Sequence, residues 1–200
     1  IALEGVPARP LAAAPHGRGG SWSKDDVIVF TPDFTEGLFR ISADGRNLER
    51  LTSPDFSRRE TSHRWPVFLP DGRRFVFLVR SDQSEVQGVY LGSLDNKRIS
   101  RLINIPSSAV YAASPGERDG YLVFEQRGTL SAQALSLSDG HVSGEIFPIA
   151  PLPPPTEDTS VVPAAASANG VLVYESGSVS QQNLVWVDRS GNELSVIPAE

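Results

Sequence analysis

The chain has no cysteine and no methionine in 200 residues, only three histidines, and fewer Lys and Arg (18) than Asp and Glu (24). The missing cysteine excludes disulfides, thiolate metal centres and cysteine nucleophiles, and leaves the cellular compartment open. A formal charge of −6 argues against nucleic acid as a partner, because a polyanionic backbone demands a basic face. No apolar run approaches the length of a membrane-spanning helix, so no membrane contact by these residues is expected. No signal peptide is read within these residues, and a piece of a longer chain would have lost one. Amphipathic helical periodicity is absent as well, which turns attention to short strands.

What the sequence has is punctuation. A tight polar turn precedes an apolar strand four times: Ser23-Lys24-Asp25-Asp26 before Val27–Phe30, Pro70-Asp71-Gly72 before Phe75–Phe77, Asp119-Gly120 before Tyr121–Phe124, and Asn169-Gly170 before Val171–Tyr174. The spacing is roughly 46 to 50 residues, the range of propeller blades. A second series runs out of phase with the first: Glu4-Gly5, Asp44-Gly45, Asp95-Asn96, Asp139-Gly140 and Ser190-Gly191. Asx-Gly pairs supply the positive φ that tight hairpins need, so each unit holds two hairpins and four strands. The 16 Pro and 17 Gly suit such a loop-rich domain.

The fold expected is therefore all-β, a partial β-propeller of about four four-stranded blades plus a half blade, with about six or more blades in the full protein. The blades are placed at 18–53, 62–104, 107–150 and 160–198, with 1–17 as the outer hairpin of a preceding blade. From the start in mid-repeat without Met, a piece of a longer polypeptide is expected. Open blade edges make association with a second copy a partner to test.

Few residues suggest chemistry. There is no Gly-x-Ser-x-Gly elbow for a serine hydrolase, and Asp33-Phe34 and Asp55-Phe56 lack the glycine of a kinase metal-binding motif and read as turns. His16, His63 and His141 each fall in an expected turn or inter-blade loop without a metal-ligand pattern, so no catalytic residue, metal or cofactor is assigned. His16-Gly17-Arg18-Gly19-Gly20 has no following helix to make it a phosphate cradle. The Pro-rich stretch Ala150–Asp158 reads as a stiff connector. Aromatic residues such as Trp22, Phe77 and Phe124 read as packing between blades.

One segment departs from the repeat. Ser57–Pro66 gathers Arg58, Arg59, His63 and Arg64 just before an innermost strand, where the other units carry small or apolar residues such as Gly17, Ser108 and Val161. These four are the candidate ligand-binding residues. The expected ligand is an acidic protein or peptide, or a small anion, met by charge-assisted hydrogen bonds.

The segments Gly19–Trp22, Glu60–Pro66 and Phe68–Arg73 resemble the C-terminal propeller of bacterial receptor-like Ser/Thr protein kinases. The blades look like the WD40-like repeats of TolB-type propellers. The resemblance implies a non-catalytic interaction or sensing module outside the cytoplasm (periplasmic), within a larger signalling protein tethered by a membrane span beyond these residues. It implies no kinase activity. Two alternatives stand beside it: the substrate-gating propeller of a prolyl-oligopeptidase-like peptidase, and a TolB-like periplasmic assembly protein.

Overall fold

The computed structural model describes residues 9–114, 119–153 and 160–176, together with the backbone of two later strands. Three four-stranded antiparallel sheets follow one another. The first contains β1 (Gly20–Trp22), β2 (Val27–Phe30), β3 (Phe39–Ser42) and β4 (Glu49–Arg50). The second contains β5 (Glu60–Phe68), β6 (Arg74–Ser81), β7 (Gly88–Ser93) and β8 (Ser100–Ile103). The third contains β9 (Ala109–Ala113), β10 (Gly120–Gln126), β11 (Thr129–Leu135) and β12 (Val142–Pro151). Two hairpins follow, β13 (Ala164–Ala166) with β14 (Leu172–Tyr174) and β15 (Leu184–Val187) with β16 (Glu193–Ile197). The only helix among the described residues is a single 3-10 turn, Phe56–Arg58. The chain is a partial β-propeller. Residues 1–8, the first eight of the seventeen assigned to the half blade expected before the first sheet, lie outside the described residues, as does the 154–159 portion of the Pro-rich connector.

Both turn series sit where a meander needs them. Asp44-Gly45, Asp95-Asn96 and Asp139-Gly140 join the two outer strands of their sheets, and the Asp26 and Gly72 turns join the two inner ones. Gly45 has φ +87°, a region a β-branched residue resists. Side-chain caps fix the inner turns: Ser23 Oγ accepts the amides of Asp25 and Val27, and Asp71 Oδ1 accepts those of Arg73 and Arg74.

Strand alternation tells how the sheets stack. Successive side chains of β6 point to opposite faces, so Phe75, Phe77 and Val79 enter a cluster with Val29, Leu38 and Tyr90, at the seam with the first sheet. Val76 enters the other cluster, with Leu122, Phe124 and Leu135 of the third sheet. β10 repeats the arrangement, sending Val123 toward Leu130, Ala132 and Val162. Each middle strand is thus apolar on both faces, which is why Phe75–Val79 reads as a continuous run. The outer edge is guarded differently. β12 exposes Ile146, Phe147 and Ile149, but two register shifts and the prolines at 148 and 151 interrupt its free hydrogen-bonding edge.

Candidate functional site

The Arg-rich segment begins in the connector between β4 and β5. Asp55 caps the 3-10 turn, its Oδ1 accepting the Ser57 amide at 2.9 Å and the Ser57 hydroxyl at 2.6 Å. These bonds, led by the Ser57 hydroxyl, hold the Asp55 carboxyl below its ordinary range. Arg59 closes the turn in the left-handed region at φ +55°, and its carbonyl accepts both the Ser81 hydroxyl and the Asp82 amide. The connector is an ordered knob. It holds Phe56 out at 75 % exposure, beside the exposed Arg58 and Arg59.

Beneath the knob lies a buried polar chain that locks the first two sheets together. Glu60 is 2 % and His63 0 % exposed. Glu60 Oε2 accepts the Asp55 amide at 2.8 Å and lies 3.1 Å from His63 Nε2. The other ring nitrogen, Nδ1, is 2.7 Å from Thr52 Oγ1, which itself accepts the Leu38 amide at 2.9 Å. The Glu60 carboxylate oxygen can only accept, so it needs a hydrogen on the nitrogen that faces it, and Nδ1 is left to accept from the Thr52 hydroxyl. The network therefore assigns the ring hydrogen to Nε2, where it is donated to Glu60. The His63 main chain is tied across the seam too, its amide to the Glu36 carbonyl and its carbonyl to the Thr31 hydroxyl. Burial pushes the Glu60 carboxyl up, but the bonds from His63 and the Asp55 amide, with the nearby charge of Arg58, outweigh it and hold the group below its ordinary value.

Thr52, His63 and Glu60 have the hydroxyl–imidazole–carboxylate order of a hydrolytic relay. The order is put to another use here. The imidazole and carboxylate are buried in the seam, and the half-buried hydroxyl bonds to the Leu38 amide and to His63, so the three side chains tie the two sheets together.

The four residues singled out from the sequence are not brought to one point. His63, expected in a loop, lies inside β5, because a register shift between Glu60 and Ser62 extends that strand back into the connector. Arg58 turns inward, 3.2 Å from the Tyr90 hydroxyl and 3.4 Å from Glu60 Oε1. Arg64 reaches the first sheet, donating to the Phe34 carbonyl at 3.0 Å and to Ser62 Oγ at 2.7 Å. Arg59 alone projects from the knob without an ion pair among the described residues. His16 and His141 stay on the surface beside Asp33 and Asp139. No group of three or more metal-ligating side chains occurs among the described residues. Sequence reasoning passed over Phe56 and Glu60. The signals were Asp55-Phe56-Ser57 as a capped turn and a carboxylate three residues before a histidine.

A groove of about 580 Å³ opens at the other end of the inner strands. It is lined by the C-terminal ends of β1, β5, β9 and β13 and the turns that follow them, with Trp22, Phe68 and Tyr111 as its aromatic residues. Trp22 is 56 % exposed, rather than packed between blades as the repeat suggested.

No protein-family model matches the chain, and no curated protein matches it. Among solved structures it is similar to TolB from Acinetobacter baumannii, with a TM-score of 0.52 and 19 % identity over 88 % of this chain. It is also similar to a putative TolB from Agrobacterium tumefaciens, with a TM-score of 0.47 and 16 % identity over 72 % of the chain. The chain spans 41 % of the first protein's length and 53 % of the second's. At 19 % identity the likeness to the first is one of fold, a TolB-type propeller.

Proposed function

We propose that this chain is a non-catalytic β-propeller interaction module that meets a protein partner through the connector between its first two described blades. The observation that supports it is the knob at Phe56–Arg59. An aromatic side chain is held in water by a turn whose amides at Asp55, Ser57, Arg58, Arg59 and Glu60 are all bonded, followed by two arginines, and anchored from below by a buried carboxylate. Aromatic and arginine side chains supply much of the binding energy of protein interfaces, and a preset loop loses little entropy on docking. In this reading Arg59 takes an acidic group on the partner, Arg58 and Arg64 border the contact, and His63 acts from beneath by fixing the knob.

The motif resemblance at Glu60–Arg73 supports placing the module outside the cytoplasm in a larger bacterial signalling protein that carries a kinase domain. The fold likeness to TolB supports a second reading, a periplasmic assembly protein. Sequencing the complete open reading frame separates the two, by the presence or absence of a kinase domain and membrane span.

The binding claim is tested by calorimetry with an Asp- and Glu-rich peptide carrying one central Leu. Phe56→Ala and Arg59→Ala should each weaken binding about tenfold or more, the 1.4 kcal/mol of a modest hot spot, with the melting temperature unchanged. Added salt should weaken it further. Equal affinities for wild type and both variants would sink the reading.

A further inference from the structure

The groove at the far end of the inner strands has an apolar wall, a set of serines around it, and one cationic side chain on its lining. Val67, Phe68, Leu69 and Pro70 form one side, Trp22 and Tyr111 flank it, and Lys24 and Tyr111 are the ionisable side chains on its lining among the described residues. Its volume of about 580 Å³ falls in the ordinary range of small-ligand sites. The position of Lys24 is built rather than incidental. Gly72 closes the facing turn at φ +73°, and a Cβ there would come within 3.1 Å of Lys24 Cγ and Cε and 3.2 Å of Asp25 Oδ2. The absent side chain is the space in which the Lys24 stem lies, bridging the inner turns of the first two sheets. The Trp22 indole adds a donor, since its Nε1 is 3.4 Å from Asp26 Oδ1, long for a hydrogen bond and readily exchanged for a better one.

We propose that this groove binds the free C-terminus of a partner polypeptide ending in a large apolar residue, the carboxylate meeting Lys24 and the terminal side chain filling the apolar floor. Charge complementarity selects the occupant: one ammonium beside an apolar surface calls for one carboxylate beside an apolar group. A terminal residue carries both on a single Cα. An internal acidic residue in an extended segment sends its neighbours' side chains to the opposite face, so it offers the pair only with a residue two positions away, about 7 Å along the strand. The site is independent of the connector, which lies at the other end of β5.

The test uses fluorescence anisotropy with two N-terminally labelled dodecapeptides of one sequence ending in Leu-Phe, one with a free carboxylate and one amidated, and a third with an internal Asp and an amidated end. The free acid should bind the whole chain at least about tenfold more tightly than the amide, the 1.4 kcal/mol of one charge-assisted bond. Lys24→Gln should erase that preference while leaving the amide's affinity unchanged. Ala113→Leu, which narrows the groove, should weaken both peptides, and Gly72→Ala, which displaces the Lys24 stem, should weaken the acid selectively. Arg59→Ala should leave all these affinities alone, so a failure of the connector reading stays distinct. Equal binding of acid and amide, a preference that survives in Lys24→Gln, equal binding of the internal-Asp peptide, or no binding of either Leu-Phe peptide at millimolar concentration would each overturn the proposal.

Discussion

Replacing Glu60 by Ala removes the acceptor of two hydrogen bonds at once, from the Asp55 amide and from His63 Nε2, and leaves the buried His63 N–H without its acceptor. Breaking a buried, hydrogen-bonded pair from one side costs about 3–5 kcal/mol. For a chain of this size each kcal/mol lowers the melting temperature by about 2–4 °C, so Glu60→Ala should melt on the order of 6–20 °C below the parent. Glu60→Gln keeps the shape and one acceptor, and should lose about 1–2 kcal/mol. The pH dependence carries the sharper signature. The folded carboxyl sits below its ordinary value of 4.5, so the unfolded chain binds the proton more readily. The stability it contributes is complete above the unfolded value and is lost as pH falls through the folded one. Melting followed by circular dichroism from pH 7 to pH 3 should show a steep acid loss in the parent that is shallower in Glu60→Gln. Parallel profiles would refute the assignment of the buried pair as the lock of the seam.

Other outcomes follow from the same geometry. Gly45→Val should cost about 1 kcal/mol or more, because φ at this hairpin is +87° and a β-branched side chain resists that region; urea titration measures it. Phe77→Ala should cost about 3–5 kcal/mol, since its ring is 1 % exposed and stacks within about 6 Å of His63, Phe75 and Tyr90. Replacing Arg58 and Arg64 together with Ala should lower the melting temperature, unlike Arg59→Ala, because both side chains bond across or into the seam.

The architecture was legible because it is written in local chemistry. Asp44-Gly45 and Pro70-Asp71-Gly72 each name a turn from two or three residues, and Phe75–Val79 names a strand buried on both faces. The candidate site was legible only as an address. The excess of Arg at Ser57–Pro66 marked the connector as unusual, yet the roles within it depend on contacts across the seam. Thr52, Leu38 and Glu36 enclose His63, and nothing in the spacing of those residues announces it. Two register shifts in β5, between Glu60 and Ser62 and between Arg64 and Val67, bracket His63, and neither is announced by the sequence. Phe56 was hidden for the opposite reason: its neighbours spell a turn, and a turn does not reveal that its aromatic ring stays in solvent.

The claim that the connector is a docking surface set before its partner arrives is tested most directly by amide hydrogen exchange. The amides of Asp55, Arg58, Arg59 and Glu60, all bonded within the knob or to Glu60, should exchange slowly in the free protein. They should slow further when the acidic peptide is added, while the strands of the third sheet stay unchanged. Free-peptide exchange rates at these four positions, or protection by the peptide that appears only elsewhere, would contradict the account.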